Sequence, residues 1–174
     1  MGAVVLKLSP QGELLLTLGV PGVTGEGRNT FNRPSSVAIA ANGDIYVADG
    51  EGPNNRIVIF SADGTYTGEW GSTGSGPGQF NTPHDIAIDS RGRVFVGDRG
   101  NSRIQIFAAD GSFIEQWRNF GRPSGIFINR ETDTLYVTDS TSNVSNNPGV
   151  KRGIYIGSAR SGEVSYRSEE HTSE

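Results

Sequence analysis

The chain has 174 residues, with 15 Lys and Arg against 19 Asp and Glu, 25 glycines and no cysteine. Glycine at about twice its usual share marks a turn-rich folded chain. The missing cysteines exclude a disulfide framework, a thiolate zinc knuckle and a cysteine nucleophile. A net charge of −4 without a basic cluster argues against a nucleic-acid partner, and no apolar run reaches the roughly 18 residues of a membrane helix.

The first apolar stretch runs from Val4 to Leu16 and is broken by Ser9-Pro10-Gln11-Gly12. It reads as the outer two strands of a unit whose inner half is missing, a half blade over residues 1–19. At Asn32-Arg33-Pro34-Ser35-Ser36-Val37-Ala38-Ile39 a pattern opens that recurs at Asn81-Thr82-Pro83-His84-Asp85-Ile86-Ala87-Ile88 and at Gly121-Arg122-Pro123-Ser124-Gly125-Ile126-Phe127-Ile128. Each copy continues with a polar turn and a second apolar run that ends at Asp49, Asp98 or Asp139. A third run follows: Arg56 to Phe60, Arg103 to Phe107, and Gly153 to Gly157. The turns Asp63-Gly64 and Asp110-Gly111 then lead to fourth segments ending at Trp70 and Trp117.

The three aspartates are 49 and 41 residues apart, the spacing of propeller blades of about 40–50 residues. Runs of four to six residues rich in Val, Ile, Tyr and Phe, joined by Asn-Gly and Asp-Gly, predict antiparallel four-stranded meanders. Helices are expected to be almost absent, because no window carries apolar residues at helical spacing. The second and third runs are apolar at consecutive positions, so the sheets are expected to be covered on both faces. The fold class is therefore all-β, a β-propeller arc of about three and a half blades. Its blades are expected at 34–71 and 83–117, with an incomplete one at 123–166. Residues 167–174 break the apolar pattern and read as a non-native or disordered tail, so His171 is not counted as functional.

Several residues have plain structural readings. Arg56 and Arg103 recur before equivalent strands, with Asp49 and Asp98 as their natural partners. Trp70 and Trp117 are expected to pack. The glycine-rich Gly71-Ser72-Thr73-Gly74-Ser75-Gly76-Pro77-Gly78 looks like a phosphate cradle but leads into a strand, so it reads as an inter-blade connection. His84 reads as a structural or solvated histidine, or as a metal ligand. Asp85 beside it could accept from the imidazole, but a bond with the turn fits strand geometry better. Arg99 reads as a partner for a substrate carboxylate or as a rim arginine bonded to loop carbonyls.

The Pro-x-x-Val/Ile-Ala-Ile, Tyr/Phe-Val-x-Asp and Arg-Ile-x-Ile-Phe elements resemble NHL repeats and cover most of the chain. Residues 76–85, 97–103 and 147–154 further resemble the bacterial relatives of peptidyl-α-hydroxyglycine α-amidating lyase. That resemblance implies a six-bladed ring with an axial zinc ion, held by three histidines that each follow a proline at the start of an innermost strand. His84 is the one matching position, as Ser35 and Ser124 occupy the neighbouring slots. The other ligands are then expected in blades before Met1 and after Glu174. Arg99 matches the family's arginine after the second-strand aspartate and is expected to be catalytic, positioning the substrate. The family's catalytic tyrosine would fall near Glu51, where none is present and Pro53 looks inserted.

On this reading zinc polarises or activates an oxygen of a peptidyl-α-hydroxyglycine, and the N–C bond breaks to give a peptide amide and glyoxylate. The resemblance leaves a calcium ion open and implies an extracytoplasmic location. The isolated chain is expected to be inactive and to self-associate through uncovered blade faces. The alternative is a non-catalytic NHL propeller that binds a peptide, protein or glycan.

Overall fold

The computed structural model describes residues 3–168. Strands β1 (Val5–Leu8) and β2 (Leu14–Leu18) form a two-stranded antiparallel sheet. Next come β3 (Ser36–Ile39), β4 (Ile45–Asp49), β5 (Arg56–Phe60) and β6 (Tyr66–Trp70), a four-stranded meander in chain order. In the following connection β7 (Ser72–Thr73) and β8 (Gln79–Phe80) pair in parallel. The second full sheet holds β9 (Pro83–Ile88), β10 (Val94–Asp98), β11 (Arg103–Phe107) and β12 (Phe113–Trp117). The third holds β13 (Gly125–Asn129), β14 (Thr134–Asp139), β15 (Gly153–Ser158) and β16 (Val164–Arg167). Among the described residues, the helical geometry is confined to a 3₁₀ turn at Arg99–Asn101.

The first strands of the full sheets, β3, β9 and β13, lie against one another and line the hub. Each outer pairing carries the same register shift: between Ile59 and Phe60, Ile106 and Phe107, and Ile156 and Gly157. The pairing of β1 with β2 shifts likewise between Lys7 and Leu8, so this pair matches the outer half of a blade. A cavity of about 260 Å³ lies between this short sheet and the first full one, lined by Leu16, Leu18, Val37 and Ile39.

Three apolar clusters separate successive sheets. They explain why the second strands are apolar without alternation. Ile45 and Val47 of β4 belong to the cluster facing β2, and Tyr46 and Ala48 to the one facing the second sheet. Every residue of β4 and of β10 is buried. Strand β14 departs from this: Leu135, Val137 and Asp139 are buried, while Tyr136 and Thr138 between them are exposed. No described sheet covers that outer face, and Phe127 and Tyr166 stand 63% and 57% exposed on the same blade.

The sheet of the last unit differs from the expected incomplete blade. Val164–Arg167 supplies a fourth strand, and the Arg167 guanidinium stacks over the Tyr155 ring, 5.3 Å from its centre. The proposed tail therefore begins inside a strand. Residues 169–174, including His171, lie outside the described residues.

The expected tryptophan packing is realised at the inter-sheet joints. Trp70 lies 6.0 Å from Tyr46 in its own sheet and 5.6 Å from Phe107 in the next, centre to centre. The turn glycine of the next sheet, Gly111, presses on the Trp70 indole with φ +87°, and an added Cβ would lie 2.8 Å from Cδ2. Gly111→Ala is therefore expected to cost about 2 kcal/mol from backbone strain and overpacking. A thermal melt should show a midpoint about 4–8 °C lower.

Candidate functional site

The second and third strands of a blade meet at a loop fixed by buried charge. In the second full sheet, Asp98 Oδ1 accepts from the Asn81 N–H (2.7 Å) and Oδ2 from Asn101 and Arg103 (2.8 and 2.7 Å). Burial pushes the Asp98 carboxyl up, and the bonds from Asn81, Asn101 and Arg103 oppose that shift. The Arg103 guanidinium gives its other donors to the carbonyls of Ser75, Gly76 and Gln79 and to Gln116 Oε1. Arg56 repeats the arrangement on Asp49, Glu26, Gly27, Thr30 and Glu69. These four residues are structural ties. The glycine-rich 71–78 loop thus turns carbonyls toward a guanidinium, the opposite polarity from a phosphate cradle.

Asn54 and Asn101 mark equivalent points in the two loops, each bonding the aspartate and a linker carbonyl, Gly25 or Gly74. Asn54 lies five residues after its aspartate and Asn101 three after its own. The first loop is therefore longer by two residues, which carry it over the start of β9 in the neighbouring blade. Gly50 permits the approach, since a Cβ there would collide with the Pro83 ring and carbonyl.

The approach brings Glu51 to His84 and Arg99. His84 Nε2 lies 3.3 Å from Glu51 Oε1, an ion pair when the imidazole is protonated. Arg99 Nη2 lies 3.7 Å from the same oxygen. All three side chains are about one quarter to one third exposed. Glu51 Oε1, His84 Nδ1 and Arg99 Nε are shielded from water without a hydrogen-bond partner. The contrast with Arg103, all five of whose N–H groups are engaged, is the main chemical feature of this region.

The two site residues expected from sequence therefore converge. Arg99 bonds no loop carbonyl through its side chain; its backbone N–H donates to Thr82 O at 3.2 Å. Asp85 departs from both of its readings, since it accepts from the Ser36 hydroxyl and, at 2.5 Å, from the Ile126 N–H, joining β9 to both flanking inner strands. As a carboxylate between two donors at the hub, it has better partners there than a turn offers. Glu51 was marked in the sequence only as the place where a tyrosine was missing. The loop insertion was its signal, because extra residues after a blade's second strand must spill toward the next blade.

For zinc, the described residues supply one histidine, His84, where the resemblance implies three. No group of three His, Cys, Asp or Glu side chains among the described residues could hold a metal ion, and catalytic zinc takes about three protein ligands.

The sequence matches the 6-bladed beta-propeller family over residues 24–118, more than half of the chain. The chain belongs to that family. This 6-bladed beta-propeller protein is also 43% identical over 65 residues to NHL repeat-containing protein 3 of Homo sapiens, and 40% to that of Mus musculus. The repeats are thus of NHL type. Each match covers 36% of this chain and 19% of the relative, so the matched region spans about a fifth of the curated relatives' length. Among solved structures, a protein of unknown function from Bacteroides caccae superposes with a TM-score of 0.62 at 15% identity, covering 96% of this chain and 54% of that one. A streptogramin B lyase gives 0.61 at 22% identity, covering 93% and 46%. Hydrazine synthase of Kuenenia stuttgartiensis gives 0.66 at 14%, covering 94% and 42%. At these identities the likeness is one of fold.

Proposed function

We propose that this 6-bladed beta-propeller protein binds a peptide-like ligand by its carboxylate at the hub mouth, with Arg99 as the fork and His84 as a second donor. The observation carrying this reading is that Arg99, at the 3₁₀ turn after β10, and His84, at the start of β9, both lie within 4 Å of one carboxylate oxygen of Glu51. A guanidinium matches a carboxylate in a bidentate pair. The reading belongs to the binding-scaffold class, and fold alone implies no turnover.

The test is calorimetric titration of N-acetylglycine, with N-acetylglycinamide as its uncharged counterpart. Binding of the acid at about 1 mM or tighter, near −4 kcal/mol, is expected. The amide should give no heat, and Arg99→Gln should abolish the acid's binding. Equal binding of acid and amide would overturn the reading. The zinc-dependent amidating-lyase reading makes a different forecast: stoichiometric zinc uptake by wild type that is lost in His84→Ala. With the present donors we expect equal, weak zinc titrations for both proteins.

A further inference from the structure

We propose that Glu51 is an internal competitor for the anion subsite: it holds Arg99 and His84 in the free protein, and the ligand's carboxylate displaces it. The inference rests on the carboxylate-binding reading above and adds its regulation. Three observations carry it.

The first is placement. Glu51 reaches the pair from the preceding blade, on a loop lengthened by two residues and admitted by Gly50. No rule of the repeat requires a carboxylate there, since the second sheet's loop carries Arg99 at the matching point: the Glu51 N–H donates to Arg33 O as the Arg99 N–H donates to Thr82 O.

The second is the quality of the contacts. A single oxygen faces the His84 imidazole at 3.3 Å and the Arg99 guanidinium at 3.7 Å, without hydrogen-bond geometry at Oε1. The Arg99 Nε and His84 Nδ1 donors or acceptors are left unused although water does not reach them. Buried polar atoms without partners favour any ligand that can complete them. A free carboxylate can approach the guanidinium through both oxygens, which Glu51 does not do from its loop. By contrast, Asp98 and Arg103 satisfy one another and their surroundings fully, and no ligand would displace Asp98.

The third is charge. Removing the Glu51 carboxylate leaves the Arg99 guanidinium without the one carboxylate paired with it, so the mouth becomes more attractive to an anion. Competition between an internal and an external carboxylate lowers apparent affinity by the fraction of time the internal one is seated. It also gives selectivity, since only an anion that binds better than Glu51 enters.

The test uses N-acetylglycine and inorganic phosphate on wild type, Glu51→Gln and Glu51→Gln with Arg99→Gln. Glu51→Gln keeps the size of the side chain, and circular dichroism checks that the fold is unchanged. We expect Glu51→Gln to bind N-acetylglycine about tenfold more tightly than wild type, phosphate to compete weakly, and the double variant to bind neither. Binding to Glu51→Gln with none detectable to wild type would also support the proposal. Unchanged or weaker binding by Glu51→Gln, with wild-type binding still dependent on Arg99, would overturn the competitor role and leave the carboxylate-binding reading standing. No binding to either protein would overturn both. Phosphate binding as tightly as the acid would overturn the carboxylate preference.

Discussion

Arg103→Ala is expected to lower the free energy of unfolding by about 3–5 kcal/mol, the cost of leaving a buried charge without its partner. Arg103 is 1% exposed and Asp98 is fully buried. The truncation removes five bonds at once, three of them to the carbonyls of Ser75, Gly76 and Gln79 in the linker between blades. Gln79 O keeps the Gln105 side-chain amide at 2.7 Å and Gly76 O keeps the Gln79 N–H at 3.1 Å, while Ser75 O loses its Arg103 donor. Arg103→Lys should recover little, since an ammonium has three donors and no planar fork. Denaturant titration of both variants is the measurement. A lysine variant as stable as wild type would show that charge alone, not the fork, holds the linker.

Phe107→Ala is expected to cost about 3–5 kcal/mol by cavity formation. The ring is fully buried, with Trp70 at 5.6 Å, Phe80 at 5.7 Å and Phe113 at 5.9 Å, centre to centre. Trp70 belongs to the preceding sheet and Phe80 to the linker, so the loss falls on a joint between blades as well as on one sheet. Phe107→Leu should keep most of the stability. Phe127→Ala, at a ring 63% exposed, should change it by no more than about 0.5 kcal/mol. Comparable losses at both positions in denaturant titration would contradict the burial difference.

Repeated motifs made the architecture legible before any coordinates. Asp49 and Asp98, each followed by Arg56 or Arg103, announced their ties because the same pair of residue types returned in the same place. Fully apolar second runs such as Val94-Phe95-Val96 signalled burial on both faces, and the clusters on either side of β10 bear this out. The last blade resisted the same logic. Its Leu135-Tyr136-Val137 run has the apolar pattern of an enclosed strand, but with no sheet among the described residues on its outer face the tyrosine meets solvent. Composition records what a strand can tolerate, not whether a neighbour is present.

The candidate site was legible in part, for a similar reason. His84 and Arg99 stood out by position within their own repeat. Glu51 belongs to a different repeat and reaches them only because an irregular loop crosses the joint. Contacts between repeats are set by loop length and by glycines such as Gly50, and a single sequence shows these only as departures from the pattern. Asp85 illustrates the same limit, since its donors lie 49 residues before it and 41 after.

Asp85 also has a bearing on how the mouth can move. One short carboxylate staples three radial sheets at their narrowest point, directly beside the imidazole in the chain. Tilting either flanking sheet outward would break its bond to Asp85, and tilting the middle sheet would break both, so the hub resists splaying. A guest reaching the mouth would therefore meet a stiff seat, with adjustment left to side chains such as Glu51.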